Sequence, residues 1–161
     1  MKPHFQIPGY LNRWRLIPRN KWFNIYLHQF VGPDPDVYAH DHPWWNVTIK
    51  LWGDYMETRD VLGNGVYQFL WNKVTIRNPT SRHTIYDVVT PDCWTLFITG
   101  PVVRDWGFWV DGKWVNHNDY LNPIHDGEMP SPPPPKMSAV TKARLLGAHV
   151  AFAGRYTRGR Q

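Results

Sequence analysis

Hydrophobic and polar residues alternate over short stretches through most of the first 116 positions of the chain. Asn46-Val47-Thr48-Ile49-Lys50-Leu51-Trp52 shows it best. Side chains alternate along an extended chain, so Val47, Ile49 and Leu51 take one face and Asn46, Thr48 and Lys50 the other. Such a strand either lines a hollow barrel with its polar face or turns that face to solvent. Aromatic and β-branched runs predict further strands at 22–30, 66–70, 73–77, 83–89 and 94–99. Gly32-Pro33-Asp34-Pro35, Gly53-Asp54, Leu62-Gly63-Asn64-Gly65 and Pro79 punctuate them. Asp111-Gly112, between Trp109-Val110 and Lys113-Trp114-Val115, predicts a tight hairpin. No helical period interrupts the series. The expectation is an all-β fold, an antiparallel barrel or sandwich over about residues 10 to 116.

After Tyr120 the pattern changes. Pro130-Ser131-Pro132-Pro133-Pro134-Pro135 predicts a stiff polyproline II spacer, because proline fixes φ and removes the amide donor. A short C-terminal helix is expected from about Ser138, which can cap it, to Ala151, with Gly154 ending it. The chain thus divides into a barrel at 1–125, a proline-rich linker at 126–136 and a basic tail at 137–161.

Charge sharpens that division. The formal net charge is +5, yet the first 135 residues carry twelve basic and thirteen acidic side chains. From Lys136 onward there are six basic residues and no acidic ones. These charges are interleaved with Ala, Val, Leu and Phe, which suits a helix docking on a partner better than a bare polycation. The tail helix is expected to dock on a second copy of the chain, as a homodimer, or on another partner. A nucleic-acid arm is the less favoured reading.

With 161 residues the chain can bury a core without staples. Cys93 is the only cysteine, which excludes an intramolecular disulfide and a thiolate zinc cluster. No apolar run is long enough to span a membrane, and the first residues lack the pattern of a signal peptide. A cytoplasmic protein is therefore expected. The aromatic share of 16% suits barrel interiors, ligand stacking and interfaces alike.

The candidate chemistry lies in Tyr38-Ala39-His40-Asp41-His42-Pro43-Trp44-Trp45-Asn46. In an extended segment His40 and His42 share a face, and Asn46 has the same parity. Two imidazoles so placed chelate one ion, and His83 from a neighbouring strand can complete the set. Three neutral imidazoles suit Fe(II), Mn(II), Ni(II), Cu(II) or Zn(II) without choosing among them. By parity Asp41 points away from the ion and could back an imidazole. Tyr38, Trp44, Lys50, Arg77, Arg82, Tyr86 and Thr95 are further lumen or rim candidates, and His28 a fourth imidazole. Arg77 and Arg82 flank His83 and would suit an anionic substrate.

His40-x-His42, three residues, Asn46, six residues, Gly53 resembles the first motif of the cupin superfamily. Asn78-Pro79-Thr80-Ser81-Arg82-His83, with Asp87 four residues further, resembles the second. The resemblance spans about residues 34 to 87. It departs where Asn46 replaces the usual metal-binding Glu, where Thr80 replaces Gly, and where Asp34 stands for an opening Gly. The resemblance implies a jelly-roll barrel holding one divalent metal, iron first, on His40, His42 and His83. Asn46, Tyr38, Arg77, Arg82 and Tyr86 would then be accessory or substrate-binding groups. Three histidines without Glu resemble the thiol dioxygenases, which implies an oxygen-using enzyme acting on a small molecule. The alternative is a non-catalytic cupin-fold binding or assembly protein.

Overall fold

A computed structural model describes residues 2–36, 38–60, 67–70 (as backbone) and 72–121. Its strands are β1 (Phe5–Ile7), β2 (Leu11–Arg15), β3 (Asn24–Phe30), β4 (Asn46–Trp52), β5 (Tyr55–Asp60) and β6 (Tyr67–Leu70), then β7 (Val74–Arg77), β8 (His83–Val88), β9 (Cys93–Thr99), β10 (Gly107–Val110) and β11 (Lys113–Asn116). All pair antiparallel. One sheet runs β1-β2-β3-β9-β4-β7, a second runs β6-β5-β8, and β10-β11 form a hairpin. His40 sits between them, bridging to His83 at the start of β8 and to Phe108 in β10. That single residue stitches the hairpin to the second sheet. The result is an antiparallel fold of two sheets and a hairpin, and the all-β expectation holds. One short helix, α1 (His117–Leu121), follows the hairpin. The linker, the tail and the helix expected at 138–151 lie outside the described residues.

The polar face of β4 turns inward as its alternation predicts. Asn46, Thr48 and Lys50 are buried, while Leu51 is exposed. Cys93, Thr95, Phe97 and Thr99 do the same on the neighbouring β9. The apolar side chains of β4 and β7 consequently face out, and Val74 and Ile76 are exposed there.

Two kinds of packing hold the sheets together. Tyr10, Leu11, Phe30, Tyr55, Ile85 and Cys93 form an apolar cluster at one end. Burial pushes the Cys93 thiol up to about 12, as befits a small buried hydrophobe. Beside the cluster lies a buried ion pair that ties β7 of the large sheet to β5 of the small one. Arg77 donates from Nε to Glu57 Oε1 at 2.9 Å and from Nη2 to the other carboxylate oxygen. Its Nη1 reaches Thr48 Oγ1 at 2.8 Å and Asn46 Oδ1 at 3.1 Å. Burial alone would lower the Arg77 pKa. The Glu57 carboxylate and Tyr55 together outweigh that and raise it, so the guanidinium stays charged.

At the hairpin, Asp111 and Gly112 both adopt positive φ, 49° and 81°. That is the conformation a two-residue turn needs to follow the strand twist, and Asp-Gly supplies it at low steric cost.

Candidate metal centre and its cavity

His40, His42 and His83 come together at the mouth of the space between the sheets, each offering a ring nitrogen within 4.8 Å of the others. The segment carrying the first two is not a regular strand. His40 is fixed instead by reciprocal backbone hydrogen bonds with His83, both 3.0 Å. The His42 ring stacks on Trp44, centroids 4.6 Å apart and 17° from parallel. His42 Nε2 and His83 Nε2 face each other at 3.1 Å. Two imidazoles bound to one ion by bonds of about 2.1 Å span about 3 Å when they subtend roughly a right angle, so this pair is spaced as ligands of one ion.

Protonation suits the same use. Burial, then the nearby Arg77 and His40 charges, pushes His83 well below its ordinary value. Burial and His40 do the same to His42. Both rings are neutral at pH 7 and present lone pairs. Asp34 Oδ2 lies 3.5 Å from His40 Nδ1, which leaves Nε2 of that ring for an ion. His83 Nδ1 is buried without a hydrogen-bond partner, 3.9 Å from Glu57 Oε1. The donor set therefore fits a divalent transition ion, and a site of three imidazoles leaves coordination positions for water or substrate.

The three histidines line a cavity of about 320 Å³. Phe30, Ile85, Phe97, Phe108, Trp44 and Trp106 supply much of its apolar wall. Thr48, Arg77, His28, Arg13, Asp34 and Asp36 are among its polar groups. The volume suits a small organic ligand.

Of the accessory and lumen residues read from sequence, Arg77, Trp44 and His28 line this cavity. Asn46 is fully buried with its amide oxygen taken by Arg77. Tyr38 stacks edge-on against Tyr120 instead. Arg82 alternates with the inward His83, so it turns out to pair with Asp60 and cover Trp109. Tyr86, half-buried on β8, is not part of the lining. Lys50 is buried in an ion pair with Asp54, and Thr95 also lies off the cavity wall.

Asp41 needs correcting. Its carboxylate backs no imidazole. It accepts from Gly107 N at 2.9 Å and Trp114 Nε1 at 3.0 Å and pairs with Arg104 at 2.8 Å. It anchors the β10-β11 hairpin beside His40, and Asp34 is the carboxylate beside an imidazole. Two groups had no strong sequence signal. Glu57 lies in a strand whose residues read as polar, and Arg13 gains meaning only by pairing across β2 and β3 with His28. Arg13 Nε donates to His28 Nε2 at 2.8 Å.

No protein-family model and no curated protein matches the sequence. Solved structures do resemble it. One is an uncharacterized conserved protein with a double-stranded β-helix domain from Klebsiella pneumoniae, 15% identical over 65% of this chain and 88% of that one, TM-score 0.46. Another is a cupin superfamily protein from Desulfitobacterium hafniense, 15% identical over 60% of this chain and 83% of that one, TM-score 0.45. A third is the DMSP lyase DddQ from Ruegeria pomeroyi, 14% identical over 59% of this chain and 49% of that one, TM-score 0.42. At these identities the likeness concerns the cupin-like fold and carries nothing about chemistry. No helix among the described residues is long and apolar enough to cross a membrane.

Proposed function

We propose that this protein binds one divalent transition metal through His40, His42 and His83 and acts on a small molecule held in the adjoining cavity. The reaction class proposed is that of a mononuclear, oxygen-using enzyme with iron as the metal. The observation that carries this reading is the convergence of three imidazoles on one point of an apolar cavity. A bound ion would supply Lewis acidity and, as iron, a route to oxygen chemistry. The chain's own residues do the rest. Asp34 fixes which nitrogen His40 presents, and the His40–His83 backbone pair sets the distance between two donors. The aromatic walls keep water from the reacting centre, where electrostatic interactions then gain strength. Arg77, fully paired with Glu57, acts as a fixed positive charge beside the histidines rather than as a mobile substrate clamp.

Elemental analysis of the full-length protein tests the reading. One equivalent of transition metal is expected in the wild type after reconstitution, and none in His42→Ala with the fold retained by circular dichroism. Equal metal in both proteins would overturn the site. Metal at one equivalent with no oxygen uptake across a panel of small aromatic and aliphatic acids would favour a non-catalytic binding or assembly protein.

A further inference from the structure

A second depression, about 780 Å³, adjoins the histidine cavity and shares Phe5, Arg13 and Trp44 with it as common walls. Its lining differs in kind. Arg13, Arg15, Arg19 and Lys21 converge on it, and no Asp or Glu lines it. None of the four forms an ion pair among the described residues. Surface cations without partners are ordinary one at a time. Four that meet in one concavity beside a candidate reaction centre are a different matter, because like charges brought together cost free energy unless an anion joins them.

The groove is also built rather than draped. Arg13 is held between Phe5 and Tyr26, its guanidinium carbon 5.4 and 5.2 Å from the two ring centres, and by its bond to His28. Arg19 and Lys21 flank Asn20, whose side-chain oxygen accepts from Trp22 N and Phe23 N at 3.0 Å each. Asn24 closes the loop by bonding both Asn20 N and Asn20 O. Asp34 and Asp36 line the histidine cavity but not the groove, so an anionic group is better placed in the groove.

We propose that this groove binds the phosphate of a phosphate monoester whose apolar remainder lies in the histidine cavity. The inference rests on the reading of that cavity as the place of reaction. A carboxylate would need one arginine. A phosphate, with close to two charges and three acceptor oxygens, matches several, and the planar arginine fork fits it in bidentate fashion. His28 Nδ1, buried without a partner in the wall of the histidine cavity, leaves a further donor for a ligand oxygen there. Trp44 lines both spaces and would report occupancy of either.

The test is a titration of full-length protein, metal-free and metal-loaded, with phenyl phosphate, benzoate, phenol and inorganic phosphate, followed by tryptophan fluorescence and calorimetry. Phenyl phosphate is expected to bind at least about tenfold more tightly than benzoate or phenol, to be displaced by inorganic phosphate, and to weaken as salt rises. Arg15→Ala, Arg19→Ala and Lys21→Ala, all exposed in the native protein, should together abolish that preference while metal content is unchanged. Arg13→Lys should weaken phenyl phosphate several-fold and serves as the variant that keeps the charge at the half-buried position. Equal affinity for benzoate and phenyl phosphate, or an unaltered preference in the triple variant, would overturn the inference. Tighter binding of a single-stranded oligonucleotide through the same three residues would overturn the small-molecule assignment. Phosphate selectivity in a protein that takes up no metal would sink the enzyme reading alone. Metal uptake without phosphate selectivity would sink only the groove.

Discussion

Lowering the pH of the metal-free protein below the ordinary titration range of histidine should destabilise it steeply. Burial, with Arg13 next for His28 and with Arg77 and His40 next for His83, pushes His28, His42 and His83 well below their ordinary value of 6.5. In the unfolded chain all three take protons near 6.5, whereas the folded chain resists. A group whose folded pKa is depressed contributes stability that is present above its unfolded pKa and lost as pH falls toward the folded one. One such histidine contributes about 1.4 kcal/mol per pH unit, so three contribute roughly 4 kcal/mol per unit once the pH is a unit below 6.5. Burial raises the Asp34 carboxyl, which works in the opposite sense by taking up a proton in the folded state first. Allowing for it, the loss from pH 6.5 to about 4.5 is roughly 5 to 7 kcal/mol, comparable to the whole stability of an ordinary domain. Urea unfolding at half-unit steps, in the presence of a chelator, measures the slope. His28→Phe should reduce it by about 1.4 kcal/mol per unit, since His28 lies outside the ligand cluster. A wild-type slope of one proton or less between about pH 6 and 5 would refute the reasoning, because it would mean that the three rings titrate freely in the folded chain.

Other changes test the frame around the site. Glu57→Gln leaves the Arg77 charge buried without its carboxylate and should cost about 3 to 5 kcal/mol in chemical denaturation. Asp41→Ala strips acceptors from Gly107 N and Trp114 Nε1 and should cost about 3 kcal/mol, with faster hydrogen exchange in the β10-β11 hairpin. Asn46→Glu should leave metal affinity unchanged, because the side chain at that position faces Arg77; a tighter metal complex would show that it reaches the ion instead. We propose that a second copy of the chain covers the outer face of β4 and β7, where Leu51, Val74 and Ile76 present no charge to repel a like surface. Ile76→Lys should then shift the protein to monomer in light scattering, and an unchanged mass would remove that surface from consideration.

Much of the barrel was legible because its strands alternate and its turns carry Gly, Pro and Asp-Gly. The inward polar face of β4 and the turn at Asp111-Gly112 follow from local rules that tertiary structure did not override. What escaped were the segments whose pattern is reversed or diluted. The β5 strand reads Tyr-Met-Glu-Thr-Arg-Asp and looks like solvent-facing chain, yet Tyr55, Met56 and Glu57 are among its most buried residues. Glu57 is tolerated there because Arg77 meets it from the opposite sheet, 20 positions away, and no local rule encodes that meeting.

The same distinction governs the site. The interval between His40 and His42 could be read, but the parity argument assumed a strand where the chain only bridges at one residue. That is why Asp41, expected beside an imidazole, serves the hairpin, and why Asp34, placed six residues before His40, takes the neighbouring position. Arg13 is the plainest case. Alone it is one more exposed-looking cation between Asn12 and Trp14. Only the register that sets Arg13 opposite His28 turns it into the wall shared by an apolar cavity and a basic groove. A chain that joins three imidazoles, an apolar chamber and an uncompensated basic groove along one path constrains its ligand more tightly than any of the three alone, because the ligand must satisfy all of them in one pose.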